Sequence, residues 1–207
     1  MDRPLKDYLA HISQPTQFEL VSDINRRGVA PTRNRALKTL YDAGCDYIVL
    51  FDDDCYPVEE GWQDFLLRAH RSSGSQVLMF PKDNYVARGS KGDVEFVEWG
   101  IGAFTFLTRK AVETIGYFNT KYDTYGFEDV AYIARARHAN LSPSRSFDTV
   151  PIGITDYIYS VDCDKSVTPQ ETLPSEVKSR LIEKNRPIFN EELSRGIVFY
   201  PYDGGAD

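Results

Sequence analysis

Three consecutive aspartates, Asp52, Asp53 and Asp54, directly follow the apolar run Tyr47–Phe51. Like charges held together at the end of a buried strand are costly without a counter-charge, and a divalent cation is the simplest one. Side chains alternate along an extended chain, so Asp52 and Asp54 form the natural pair for Mg²⁺ or Mn²⁺, which prefer oxygen ligands. The same residues would also suit a solvated acidic loop or a helix N-cap.

A second acidic pair, Glu128 and Asp129, follows a segment rich in aromatic residues and glycine. Acidic residues at a helix start are stabilised by the macrodipole, and that role alone accounts for the pair. The arrangement also suits sugar chemistry. The rings of Tyr125 and Phe127 would pack on the apolar surface of a sugar, while a carboxylate polarises a hydroxyl. The sequence therefore offers a candidate general base beside a candidate sugar platform.

The composition is that of a globular protein, and we expect one domain over residues 1–207. Hydrophobic residues make up 42% of the chain and charged residues 27%, which is ordinary for such a domain. The net charge of -7 disfavours a nucleic-acid partner, because nucleic-acid binders present a basic face. Residues 1–17 lack the apolar core of a signal peptide, and no stretch reaches the length of a membrane span. The three cysteines are far apart in the sequence, which indicates reduced thiols. These features predict a soluble, cytoplasmic protein.

The elements that must position the acidic residues alternate between strand and helix patterns. We predict a lead-in helix over 1–17, a strand over 18–23, a helix over about 31–43 and a strand over 47–51. Strand, loop, helix and strand together span about 34 residues, the length of one βαβ unit. We therefore expect an α/β, Rossmann-like fold with a mainly parallel central sheet flanked by helices, and ligands at the carboxyl ends of its strands.

Two further features would bear on a ligand at that edge. Arg33 lies in the first turn of the predicted helix, where it could meet a phosphate as a bidentate donor. Gly100 and Gly102 precede a strand and permit close approach of a ligand or a neighbouring backbone. At the far end of the chain, residues 166–207 are predicted to form a polar tail with one helix at 175–184.

Four motifs resemble those of the GT-A fold glycosyltransferases, in particular family 2 and the group of β-1,4-galactosyltransferases and polypeptide GalNAc-transferases. In order they are Asn25 to Asn34, Asp52 to Asp54, Gly102 to Phe118, and Tyr125 to Asp129. Any one motif is weak, but four in the family's order and spacing are specific. The resemblance implies a GT-A-like fold and metal-dependent, inverting transfer of a sugar from a nucleotide-sugar, expected to be a UDP-sugar, to a hydroxyl of a saccharide acceptor.

On the donor side, the resemblance implies a role for each matched residue. Asp52 and Asp54 match the DxD motif, which engages the metal and the ribose of the nucleotide, and Asp53 lies between them in the donor site. Arg33 matches an arginine near the donor nucleotide. Gly102 would let the backbone approach the donor sugar.

On the acceptor side, Glu128 matches the acid that holds the acceptor sugar, next to Tyr125 and Phe127. Asp129 matches the catalytic base, which takes the proton of the acceptor hydroxyl as its oxygen attacks the anomeric carbon. Mn²⁺ or Mg²⁺ would stabilise the departing nucleoside diphosphate.

Two departures from the family pattern leave alternatives open. Only 17 residues precede Phe18, so the nucleobase pocket would be trimmed, rebuilt from Asp23 and the N-terminal segment, or supplied elsewhere. Tyr159 stands where many members have a metal-binding histidine, so Asp162 or water would complete the metal shell. The first alternative is therefore a trimmed relative that binds sugar or nucleotide without catalysis. The second is a metal-dependent nucleotidyltransferase, although its usual glycine-rich phosphate loop is missing before Arg33.

Overall fold

The computed structural model describes residues 28–122, 124–164, 166 and 173–203. Within these ranges the chain forms five helices and eight strands. In chain order they are α1 (Val29–Asp42), β1 (Tyr47–Phe51), β2 (Cys55–Pro57), α2 (Trp62–Ser73), β3 (Val77–Pro81), β4 (Ser90–Lys91), β5 (Val94–Val97), β6 (Gly100–Thr108), α3 (Arg109–Ile115), α4 (Glu128–His138), β7 (Asp148–Pro151), β8 (Ile158–Ser160) and α5 (Ser175–Arg195). The predicted lead-in helix at 1–17 and the predicted strand at 18–23, which includes Asp23, lie outside the described residues.

The central sheet has the order β1, β6, β3, and β6 is antiparallel to both of its neighbours. The prediction of a mainly parallel central sheet is therefore wrong, since every pair of strands in the described ranges is antiparallel. β1 and β3 do run in the same direction, but β6 lies between them. An apolar run without polar alternation indicates burial on both faces and carries no information about direction. The coarser expectation of a mixed α/β fold is confirmed.

Two smaller sheets flank the central one. β2 pairs with β8, and β5 lies between β4 and β7. β4 and β5 form a hairpin that turns at Gly92 and Asp93. A continuous apolar core joins the sheets and helices, and it includes Leu37 of α1, Leu66 of α2 and Phe104 of β6.

Helix α5 is longer than the sequence predicts. The expected helix ended at residue 184 because a proline follows shortly afterwards, yet α5 continues through Pro187 to Arg195. A proline inside a helix removes one backbone donor and clashes with the preceding turn. Buried polar contacts on both sides offset that cost, because Asn185 bonds to Tyr125 and Gly126, and Glu192 bonds to Asn119. None of the described helices is long and apolar enough to cross a lipid bilayer.

Candidate functional site

The three aspartates lie at the turn that joins β1 to β2. The backbone N–H of Asp52 donates to the carbonyl of Ala103 at 2.8 Å, so the pairing of β1 with β6 continues to the first aspartate. The N–H of Cys55 then donates to the carbonyl of Asp52 at 3.1 Å, which closes a turn with the exposed Asp53 and Asp54 at its tip. The predicted acidic cluster therefore stands at the carboxyl end of β1.

Asp162 comes to this turn through the pairing of β2 with β8. The N–H of Val161 donates to the carbonyl of Asp54 at 3.2 Å. Desolvation raises the pKa of Asp54, and the charges of Asp162, Asp53 and Asp52 raise it further. The residues predicted as metal ligands thus share one patch. No group of three histidine, cysteine, aspartate or glutamate side chains in the described ranges is arranged to hold a metal ion.

Tyr159, which stands in the place expected for a histidine ligand, is engaged elsewhere. Its hydroxyl donates to Oδ2 of Asp164 at 2.8 Å, and its ring lies 5.1 Å from that of Tyr56. A phenol that donates to a neighbouring carboxylate is not available as a metal ligand. The remaining residue predicted as a metal ligand, Asp162, influences Asp54 through its charge.

Arg33 connects the turn to the rest of the site. Its Nη2 donates to Oδ1 of Asp52 at 2.5 Å and to the carbonyl of Gly102 at 2.8 Å, and its side chain is only 11% exposed. The first turn of α1 is held in place by Asn34, whose side-chain amide exchanges hydrogen bonds of 2.7 and 2.8 Å with the backbone of Phe118. Arg33 is therefore fixed by both its backbone and its side chain.

The guanidinium of Arg33 lies between two acidic groups. Burial lowers its pKa, but the charges of Asp52, Asp129 and Glu128 together raise it above the ordinary value. Its Nη1 is buried and has no hydrogen-bond partner among the described residues. A buried donor without a partner is rare and calls for an explanation, and a bound ligand is one.

Gly102 is the point on β6 where Arg33 and Asp129 meet. A Cβ atom placed on Gly102 would lie 2.6 Å from Oδ2 of Asp129 and 3.0 Å from Nη1 of Arg33. Any side chain at this position would displace one of them, so only glycine fits. The sequence predicts the close approach of a ligand or a neighbouring backbone at Gly102, and in the structure these two side chains lie there. It brings the acidic turn after β1 and the acidic start of α4 to opposite sides of one guanidinium.

Glu128 and Asp129 form the first turn of α4. Glu128 is 8% exposed, and its Oε2 is buried without a partner in the described part of the chain. Burial, followed by the charge of Asp129, raises the pKa of Glu128 to about 7, while Arg33 opposes the shift. Oδ1 of Asp129 accepts from the N–H of Val130 at 2.7 Å, which leaves Oδ2 as the oxygen beside Gly102.

A cavity of about 280 Å³ opens beside this acidic pair. Its lining consists of residues 125–130 and Ile182. The predicted acceptor residues Tyr125, Phe127 and Glu128 and the predicted base Asp129 therefore share one cavity. The donor-side residues do not line it, and Arg33 stands between the two groups.

Sequence reasoning missed the contribution of α5 to this cavity. Ile182 lines it, Asn185 bonds to the backbone at Tyr125 and Gly126, and Phe189 stacks on Phe127 with ring centroids 4.8 Å apart. The signal that could have found them is helical spacing of apolar residues, which continues from Ile182 to Phe189 past the proline.

No family model matches this chain, and no curated protein or solved structure matches it either. Its function has to be inferred from the chemistry of the two acidic groups and the arginine between them.

Proposed function

We propose that this protein is a metal-dependent inverting glycosyltransferase with a GT-A-like fold. It would move a sugar from a nucleotide-sugar, such as a UDP-sugar, to a hydroxyl of a saccharide acceptor. One observation carries the proposal: Arg33 contacts Asp52 and lies beside Asp129 over Gly102. Two acidic groups that are distant in sequence therefore lie close enough to act on one pair of substrates.

The acidic turn has the donor chemistry for Mn²⁺ or Mg²⁺. Asp54 and Asp162 interact through their charges, and Asp52 and Asp53 add to the same field. Mg²⁺ is commonly held by one or two carboxylates together with substrate phosphates and water, so a site without three grouped protein ligands still fits. When bound, the cation would neutralise charge on the departing nucleoside diphosphate.

Arg33 supplies the binding group that the donor phosphates need. One nitrogen of its guanidinium is committed to Asp52 and Gly102, and the other has no partner in the described ranges. A pyrophosphate oxygen would accept from that second nitrogen in a charge-assisted hydrogen bond. The arginine would thus hold the donor near Gly102 of β6, on the side of Asp129.

Asp129 would act as the general base. Its Oδ1 is occupied by a backbone donor, and its Oδ2 lies over Gly102. Oδ2 would take the proton of the acceptor hydroxyl as the hydroxyl oxygen bonds to the anomeric carbon. The bond from that carbon to the diphosphate oxygen breaks at the same time, and the diphosphate leaves with the electron pair. Glu128, with its unpartnered Oε2, would hold the acceptor sugar.

Hydrolysis of UDP-sugars in the presence of Mn²⁺, and their transfer to added saccharides, test this proposal. In the Asp54→Ala variant we expect hydrolysis and Mn²⁺-dependent stabilisation by nucleotide to be lost, since a ligand that binds only the folded chain raises its melting temperature. In the Asp129→Asn variant we expect nucleotide binding to persist while transfer falls about 10²- to 10⁴-fold, the usual contribution of a general base. Asp64, an exposed residue of α2, gives the matched control Asp64→Ala.

A second candidate is a relative that binds nucleotide or sugar without catalysis. The pairing of Asp52 with Arg33 favours it, because that carboxylate is already neutralised. Nucleotide binding by the wild type without hydrolysis or transfer of any UDP-sugar would select this alternative. Release of pyrophosphate from a nucleoside triphosphate would instead indicate a nucleotidyltransferase. Transfer by Asp129→Asn at the wild-type rate would refute the role of Asp129.

A further inference from the structure

Helix α5 contacts each residue of the segment that precedes the acidic pair, Tyr125 to Phe127, here called the acceptor loop. The side-chain amide of Asn185 donates to the carbonyl of Tyr125 at 3.0 Å and to that of Gly126 at 2.9 Å. The ring of Phe189 stacks on that of Phe127. α5 is therefore joined by hydrogen bonds to the first two residues of the acceptor loop and by a ring contact to the last one.

The acceptor loop has a backbone conformation that needs such support. Gly126 has a φ of 95° and Phe127 a φ of 74°, so two successive residues lie in the left-handed region. For a bulky residue such as Phe127 this conformation is a genuine outlier, and it persists only where surrounding contacts impose it. The strained residue directly precedes Glu128, so the conformation of the loop decides where α4 begins and where its first acids point.

The side chain of Asn185 supports the backbone of the acceptor loop. It is fully buried, with 0% of its surface exposed, and a buried amide has to find partners for its donors. The amide bonds to two loop carbonyls that lie outside its own helix. An asparagine in a helix interior is otherwise unfavourable, which makes a purely helical role a poor explanation for it.

Ile182 shows how closely helix and loop approach each other. A Cβ atom on Gly126 would lie 3.0 Å from Cγ1 of Ile182, so a larger residue would push α5 away from the loop. Ile182 also lines the cavity beside Glu128 and Asp129. Among the described residues that line this cavity, Ile182 alone lies outside the acceptor loop and α4, so α5 forms the wall on that side.

We propose that α5 is the acceptor-side wall of this site and that Asn185 is a positioning residue, which holds the acceptor loop in its strained form so that Glu128 and Asp129 face the cavity. This rests on the proposed function for the identity of the ligand. Pockets for drug-sized molecules measure roughly 300 to 1,000 Å³. A cavity of about 280 Å³ therefore suits a single sugar ring, with Ile182 against its apolar face.

The test compares Asn185→Ala with Asn190→Ala, the same substitution at an exposed position of the same helix. In Asn185→Ala, amide hydrogen exchange at residues 125–128 should rise about tenfold or more, because two hydrogen bonds that hold the loop are lost. The pKa of Glu128, followed by carboxyl NMR, should fall towards its ordinary value as the group becomes hydrated. With a set of methyl hexosides as acceptors, KM should rise.

Asn190→Ala should match the wild type in every one of these measurements. The inference is overturned if Asn185→Ala and Asn190→Ala give the same loop exchange and the same Glu128 titration. If Asn185→Ala does not fold, Phe189→Leu takes its place, since it keeps apolar volume but removes the ring stack on Phe127. Exchange and titration need no substrate, so a wild type without donor hydrolysis would refute the proposed function and still leave the role of Asn185 decided.

Discussion

Replacing Glu128 with glutamine should make the folded chain more stable at neutral and alkaline pH. Glu128 is buried, and burial together with the charge of Asp129 raises its pKa from 4.5 to about 7. Between these two values the folded chain keeps a proton that the unfolded chain has released. Stability falls with rising pH wherever the folded state binds more protons. The wild type should therefore lose stability as the pH rises through this window, and the loss should be complete above about pH 7.

The expected difference in stability between Glu128→Gln and the wild type follows from the pKa shift of Glu128. One pKa unit corresponds to about 1.4 kcal/mol, so a shift from 4.5 to about 7 costs the wild type about 3 kcal/mol once the carboxylate is charged. Glutamine has nearly the same shape and never ionises. Glu128→Gln should match the wild type below about pH 4.5 and exceed it by about 3 kcal/mol above about pH 7. For a chain of this size that difference corresponds to about 6 to 12 °C in Tm.

Thermal unfolding followed by circular dichroism at several pH values measures this difference. Glu60→Gln is the control, because Glu60 is exposed and its loss should leave the pH dependence of Tm unchanged. Curves for Glu128→Gln and the wild type that run parallel from about pH 4.5 to about pH 8 would refute the reasoning. They would mean that the Glu128 carboxyl is hydrated in the folded chain and does not belong to a closed acceptor site.

Two further substitutions probe the guanidinium and the glycine between the acidic groups. Arg33→Lys keeps the charge but loses the planar guanidinium, whose Nη2 donates to both Asp52 and Gly102. It should lower the free energy of unfolding in urea by about 1 to 2 kcal/mol, whereas Arg71→Lys at an exposed site should change it little. Gly102→Ala places a methyl group 2.6 Å from Oδ2 of Asp129. It should cost about 1 to 3 kcal/mol through overpacking and should abolish sugar transfer in the assay with UDP-sugars and added saccharides.

The residues of the candidate site were predictable because their signals are local. Three consecutive aspartates directly after the apolar run of β1 can be recognised in the sequence without knowing how the strand pairs. Arg33 is selected as a candidate because it lies in the first turn of α1. Gly102 is selected because it has no side chain and so permits close approach. Such patterns depend on a few adjacent residues, and tertiary packing does not change which residues they select.

The relative direction of the strands in the central sheet could not be predicted, because β1 and β3 both pair with β6, which is distant from β1 along the chain. Four strands and a helix, β2 to β5 and α2, separate β6 from β1 along the chain. An apolar run carries no information about the direction in which it will pair. The register that places Leu50 opposite Thr105 is set by the completed core. Likewise, the rule that a proline ends a helix is local, and contacts made by Asn185 and Glu192 outweigh it at Pro187.

The charges at the site decide how its two substrates can bind. Among the described residues, Arg33 is the cation that forms an ion pair with the acidic turn, and its guanidinium is also influenced by the charge of Asp129. Asp54 and Asp162 add negative charge at the same edge of the sheet. A diphosphate brought to this edge would be repelled by these carboxylates unless a divalent cation came with it. A nucleotide that bound equally well with and without Mn²⁺ would be incompatible with this arrangement.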